Sequence, residues 1–379
     1  MPNLDAVVKQ IEKKYGEGCV ARGDQRRLEP ELLPSGIFPV DYAIGGGFPV
    51  NQITVLRGPE HGGKTTTAMS LVAAVSRMCW RCFNYLDFCT CSLPAMKQVS
   101  FWCDAEGTFN RLWAESVGCI SEDYYVDLSD NGLVYGDKIG YALKSDNCGL
   151  VVLDSVGAII SSVEFEGSLE DTQVAQQARM VTSLIKKTNN QLIIEAMRGH
   201  RCLVVVLAQI RRKIGVLYGS NEETPGGEAL KHLPAVRLRV SKVAMQDKAK
   251  YYSKERDFTL ASRHSVSMEK VKHGQLADSA EFIRARANIA DLGAKKGMVL
   301  DHKTVMKYAM TCNDFPKDNG NIEILGKKAK QGDFIEFWKS NPNFYYACQR
   351  EIISRIKDGY MNNAEPQLQC VSSEDVDQE

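Results

Sequence analysis

An α/β fold built on a mostly parallel central sheet is what this sequence predicts, and three observations carry the prediction. Apolar runs of strand type, Ile53–Leu56, Val99–Cys103, Leu150–Leu153 and Leu203–Ala208, are separated by segments of helical pattern. The runs are continuous rather than alternating, which suits strands covered on both faces. The first run leads into a Gly-rich turn and then an apolar helical stretch, Thr65–Val75, the strand–loop–helix order of a phosphate-binding loop.

The elements follow in order along the chain. Leu4, Val7, Val8, Ile11 and Tyr15 recur at helical spacing, with Lys9, Lys13 and Lys14 on other faces, so Leu4–Tyr15 reads as an amphipathic helix ended near Gly16 and Gly18. Residues 30–50 are rich in Pro and Gly and read as turns. Thr172–Lys187 reads as one of the helices between strands. From about residue 276 the pattern changes to mixed helices and short loops. The expected organisation is an N-terminal segment over 1–34, a core over 35–275 and a small α+β domain over 276–365. A polar, acidic tail over 366–379 is expected to be disordered. No internal repeat is visible.

Composition narrows the class. A hydrophobic content of 44% in 379 residues can bury a full core. Lys and Arg together number 47, as do Asp and Glu, so net charge neither predicts nor excludes nucleic-acid binding, which needs a local basic strip. No apolar run approaches the roughly 18 residues of a membrane span, and Glu12, Lys13 and Lys14 interrupt any signal-peptide pattern. A cytoplasmic protein with no membrane partner is expected. Of the 12 cysteines, four cluster between positions 79 and 91, which points to metal rather than bridges.

Gly58-Pro59-Glu60-His61-Gly62-Gly63-Lys64-Thr65, followed by Thr66, fits the phosphate-loop pattern. Its backbone N–H groups would turn around phosphate oxygens at a helix N-terminus. Lys64 would reach the outer phosphates and the Thr65 hydroxyl would hold magnesium. Leu150–Asp154 is an apolar run ending in a carboxylate. At the C-terminal edge of a parallel strand, Asp154 would face the nucleotide and share the magnesium. Glu106, just after the strand that ends at Asp104, is the candidate to orient and deprotonate water.

Gly58–Thr66, Asp104-Ala-Glu106, Leu153-Asp-Ser-Val156, Gln209–Gly215 and Thr224–Leu230 together resemble the bacterial RecA recombinase family, in the same order and over Leu4 to about Gly359. The resemblance implies a RecA-type ATPase core, ATP and magnesium as cofactors, and a role for each matched residue. Glu106 matches the glutamate that activates water, and Asp154 with Ser155 the magnesium strand. Trp113 stands where an aromatic stacks on adenine, and Gln209 where a glutamine senses the outer phosphate. Two loops would hold DNA: Glu164–Asp171, leading to Val174 and Arg179, and Ile210–His232, with Arg211, Arg212, Lys213, Ile214, Gly226 and Gly227. Basic groups there would neutralise phosphates without reading sequence. Val174 and Ile214 would wedge between bases. Lys270 and Lys272 match lysines that reach a neighbouring subunit's nucleotide in the manner of arginine fingers. The helix Leu4–Tyr15 would pack on the next subunit of an open head-to-tail filament. The implied partners are single-stranded DNA, homologous duplex, further copies of the chain, single-strand-binding protein and loading mediators.

The sequence also departs from that family. Residues 78–97 form an insertion carrying Cys79, Cys82, Cys89 and Cys91, two close pairs able to hold one tetrahedral zinc; a thiol-bearing loop without metal is the other reading. Glu228 replaces an uncharged amide beside the loop glycines, which weakens the expected DNA contact there. His61 replaces a small residue, and Ser279–Ala287 reads as shortened, leaving the last core strand open. Cys103, within a strand, is expected to be a core residue. An active recombinase is the function expected. A helicase-type motor fits Lys270, Lys272 and the C-terminal segment poorly, and a non-hydrolysing regulator fits intact Lys64, Glu106 and Asp154 poorly.

Overall fold

The computed structural model describes residues 3–16, 19–20, 22, 30–79, 81–92, 96–128, 132–159, 174–212, 222–223, 227–245, 251–253 and 258–362. Eight strands form the main sheet: β1 (Ile53–Gly58), β2 (Val99–Asp104), β3 (Tyr124–Asp127), β4 (Cys148–Asp154), β5 (Leu203–Gln209), β6 (Val236–Val243), β7 (Ala261–Val271) and β8 (Ser279–Ala285). Their spatial order is β8-β7-β6-β1-β5-β4-β2-β3. The six strands from β6 to β3 run parallel, and β7 and β8 add antiparallel at one edge. The mostly parallel α/β sheet expected from the apolar runs is present.

Period-two alternation divides the core between the two faces. Leu150, Val152, Leu203, Val205 and Leu207 pack with Met69, Leu71 and Val72 of helix α3 (Lys64–Val75). Val151, Leu153, Val204 and Val206 face the other way. There they meet Tyr135 and Ile139 of α5 (Gly132–Leu143), and Val181 and Ile185 of α6 (Val174–Met197). Each fully buried Val or Leu of this kind contributes on the order of 1.5–3 kcal/mol. Cys103 is among them, with 0% exposure.

Near the N-terminus, α1 (Leu4–Tyr15) is capped by Asn3 Oδ1 on the Ala6 N–H at 3.0 Å and ends at Gly16, as the pattern predicts; none of its residues is buried. Helix α2 (Phe38–Ala43) is wholly buried, and α4 (Arg111–Val117) follows β2. Helix α6 runs 24 residues, ten beyond the predicted end at Lys187. Leu192, at 1% exposure, continues the apolar face past the polar run that reads as a stop. Within Ser279–Ala287, where the sequence leaves the last core strand open, Ser279–Ala285 forms a seven-residue strand paired along β7. The main sheet therefore extends past the expected core limit at residue 275.

Past the short α7 (Ala229–His232), the C-terminal part holds α8 (His302–Thr311), α9 (Gln331–Ser340) and α10 (Pro342–Asn362) around a three-stranded antiparallel sheet that includes Asn321–Ile324 and Lys327–Lys330. Its apolar cluster takes in Phe38 and Tyr42 of α2, and Asp301 accepts from the Phe38 N–H at 3.1 Å. The acidic tail lies outside the described residues. Among the described residues no helix is long and apolar enough to cross a membrane.

Candidate nucleotide site and nucleic-acid loops

The C-terminal ends of β1, β5, β4 and β2 converge at one edge of the sheet, where ligands of open α/β sheets bind. Gly58 is level with Gln209, and Asp104 with Asp154. A Cβ at Gly58 would meet the Val240 carbonyl oxygen at 2.0 Å, so only glycine lets the loop leave the strand here. Gly63 caps α3 with φ +104°, a left-handed conformation that favours glycine. The following N–H groups open the helix toward the loop, a ready anion site.

Lys64 Nζ donates to the Gly58 and Pro59 carbonyls at 3.1 and 2.8 Å. Burial lowers the pKa of this ammonium, while Asp154, Glu106 and Glu60 pull the other way. Thr65 Oγ1 donates to Asp154 Oδ2 at 3.0 Å, which brings together the two expected magnesium ligands. Burial raises the Asp154 pKa to about 7 against the bond from Thr65, and the nearby Glu106 and Asp104 charges add to the rise. A divalent cation would relieve that concentration of negative charge, so the donor set fits magnesium.

Glu106 accepts from Ser155 Oγ, and its N–H reaches the Asp154 carbonyl at 3.3 Å. The loop carrying it is shaped by Asp104, whose carboxylate accepts from the Thr108 and Phe109 N–H groups at 3.2 and 2.8 Å. Gln209 ends β5 beside the phosphate loop, and the Ile210 N–H donates to the Gly58 carbonyl at 3.1 Å. Trp113 is half-buried. Its Nε1 donates to Thr66 Oγ1 at 3.0 Å, and Lys296 Nζ stands 5.5 Å over its ring. Glu60 and His61 are exposed, with His61 at φ +56°.

Sequence reasoning missed His264. It is buried on β7, with Nδ1 3.0 Å from the Gly62 carbonyl and Nε2 2.9 Å from Ser262 Oγ. Burial lowers its pKa to about 4. The neutral ring can donate from Nδ1 to the loop and accept from the Ser262 hydroxyl, bracing the phosphate loop from behind. No local motif marks it, because the contact joins positions 202 residues apart.

Lys270 and Lys272 do not meet this edge. Lys270 pairs with Arg237, which pairs with Val55, three residues before Gly58; at about 3.3 Å per residue that is about 10 Å short of the loop. Lys270 Nζ donates to the Lys231 and His232 carbonyls at 3.3 and 2.7 Å, and Lys272 is exposed. The two lysines lie toward the opposite end of the sheet from their own phosphate loop.

Of the expected DNA-loop residues, Lys213, Ile214, Gly226 and the loop Glu164–Asp171 lie outside the described residues. Val174 begins α6, and Arg179 is exposed on it. Arg211–Arg212 pairs antiparallel with Glu222–Glu223, closing the second loop at its base. Glu222 is bound by Arg239 at 2.7 Å and Arg57 at 3.4 Å, and Glu269 by Arg57 and by Arg237 at 2.9 Å. Arg57 and Arg239 are level on adjacent strands, and the carboxylates offset their repulsion. The network thus ties the loop base to the strand carrying Lys270. Gly227 has φ +77°, and Glu228 is held by Lys231 at 2.6 Å and His232 at 3.2 Å.

Comparison with known proteins matches residues 2–273 to the RecA N-terminal domain. The chain belongs to the RecA family. It is 32% identical over 364 residues to Protein RecA of Rippkaea orientalis, covering 95% of this chain and 93% of that one. It is also 32% identical to Protein RecA of a Picosynechococcus species, over 71% of this chain and 70% of the relative. A mitochondrial DNA repair protein recA homolog of Dictyostelium discoideum is 29% identical over 84% of this chain and 65% of its own length. The RecA family resemblance read from the motifs is borne out.

Proposed function

We propose that this chain is an ATP-dependent DNA recombinase: it coats single-stranded DNA as a helical filament, pairs it with homologous duplex and exchanges strands. DNA-stimulated ATP hydrolysis between subunits drives turnover. The observation that carries this reading is the grouping of Lys64, Thr65, Asp154, Glu106, Ser155 and Gln209 at one sheet edge, in a chain similar to Protein RecA over nearly its whole length.

The cofactors of that edge are ATP and magnesium, with zinc as a structural ion of the insertion. Lys64 and the loop N–H groups hold the outer phosphates, and Thr65 and Asp154 hold the magnesium that neutralises them. Glu106 orients a water and takes its proton, with Ser155 fixing the carboxylate. Gln209 links the outer phosphate to the loop that begins at Ile210. Arg179, Arg211, Arg212 and Lys213 contact DNA phosphates, Gly226 and Gly227 let backbone approach them, and Val174 and Ile214 separate bases. Lys270 and Lys272, set away from their own phosphate loop, serve the neighbouring subunit's nucleotide. Single-strand-binding protein, loading mediators and a cytoplasmic location belong to the same reading.

Homologous pairing tests it. The purified chain, with ATP, magnesium and a labelled single strand, is expected to transfer label to homologous duplex and not to a heterologous one. Transfer without regard to homology, or unwinding with no pairing, would replace the recombinase with a motor of another kind.

A further inference from the structure

Four thiols converge well outside the nucleotide edge. Cys79 Sγ is 4.0 Å from Cys91 Sγ, Cys82 Sγ is 3.6 Å from Cys89 Sγ, and all four sulfurs lie within 4.8 Å of one another. Sulfurs about 2.3 Å from one tetrahedral centre stand about 3.8 Å apart. A disulfide would bring a pair to about 2.05 Å, so the spacing is that of a shared ion. The local backbone presents the first pair: the Phe83 N–H donates to the Cys79 carbonyl at 2.9 Å, and Phe83 takes φ +56°, a left-handed turn just after the second cysteine. Thiolates in a tetrahedral set select zinc over hard cations such as magnesium.

The insertion is also a bridge. On one side Met78, Phe83 and Tyr85, at 0%, 3% and 4% exposure, enter the main core cluster below α3, so the segment is less polar in its packing than its sequence implies. On the other side Arg350 of α10 donates to the Phe83 carbonyl at 3.0 Å, and the Phe88 and Phe344 rings stand 6.2 Å apart. Among the described residues, the segment's own regular structure is a single 3-10 turn, Leu86–Phe88, and two isolated bridges, Met78 with Tyr85 and Cys79 with Lys97. With so little regular pairing, a metal closing the four thiols would fix the shape of this segment.

We propose that Cys79, Cys82, Cys89 and Cys91 bind one zinc ion, and that the zinc-closed insertion clasps helix α10 of the C-terminal part to the ATPase core. The proposal rests on the zinc assigned to the insertion above, and adds what that ion does: occupancy sets how firmly the C-terminal part is held.

The test uses the 379-residue chain, without ATP or DNA. Elemental analysis is expected to find one zinc per chain, and cobalt(II) replacing it to give the visible bands of a tetrahedral thiolate site. Removing zinc with a chelator is expected to speed amide exchange in Pro342–Asn362 by about tenfold while leaving β4 and β5 protected. Arg350→Ala should keep the zinc yet loosen the same helix, which covers the case where cysteine variants misfold. A chain without zinc after growth and refolding in its presence, or one holding iron instead, overturns the site. Zinc removal that leaves exchange in α10 unchanged overturns the clasp. Because no readout needs DNA or turnover, a chain that holds zinc but fails to pair DNA would refute the proposed function alone.

Discussion

Glu106 touches Ser155 and the backbone of Asp154, so its carboxylate is aimed by groups at the C-terminal end of β4. Glu106→Gln keeps the shape and removes the proposed base. Turnover is expected to fall by about 100-fold or more with nucleotide and DNA binding retained, measured by phosphate release and by filter binding. Retained turnover would give the base role to another group. His264 makes a second prediction through pH. Its pKa is about 4 in the fold and 6.5 when free, so between those values the unfolded chain binds more protons and stability falls as pH falls. Gln at this position cannot titrate. The stability advantage of the natural chain over His264→Gln should therefore be full above about pH 6.5 and shrink toward pH 4, as read from denaturant melts. Lys64, Thr65, Glu106 and Asp154 were legible because their motif is local in sequence. His264 was not, because burial and a long-range contact give it its role.

At the scale of elements, the strands that build the nucleotide edge were legible because burial on both faces writes itself as an unbroken apolar run. Ser279–Ala285 was not, because it carries Glu281 and Arg284 within the strand. Those charges are tolerated for specific reasons: Glu281 pairs with Arg263, while Arg284 donates to the Gly297 carbonyl and to Ser70 Oγ, both at 2.8 Å. The hairpin of Arg211–Arg212 with Glu222–Glu223 was also illegible, since two-residue strands carry no period. Its anchoring can be tested. Glu222→Gln leaves Arg57 and Arg239 level with one carboxylate fewer between them. These groups are partly exposed, so the loss is expected to be about 1 kcal/mol in stability, well under that of a fully buried pair. DNA stimulation of turnover should fall more than basal turnover, because the loop base is what loosens. Equal loss of both would mean that the network only stabilises the sheet.

Across the whole molecule, the two sets of charged groups are far apart. Lys270 and Lys272 sit toward the end of the sheet opposite their own phosphate loop, so on the proposed reading a nucleotide meets both sets of groups where two chains stack head to tail. Mixing two inactive variants tests this. Lys64→Ala lacks the proposed phosphate lysine, and Lys270→Ala with Lys272→Ala lacks the pair proposed to reach across. Mixed filaments contain some junctions where an intact loop faces an intact pair, so DNA-dependent turnover should partly return on mixing. No recovery, with both variants still binding DNA, would put the lysines to work within their own chain.

On the proposed reading, the sheet edge around Lys64 hydrolyses ATP in response to DNA. ATP hydrolysis by the whole chain with and without single-stranded DNA, with Lys64→Ala alongside, is the decisive measurement. Strong stimulation by the single strand, abolished in Lys64→Ala, is expected. Hydrolysis indifferent to DNA, or stimulation that survives the loss of Lys64, would contradict that reading.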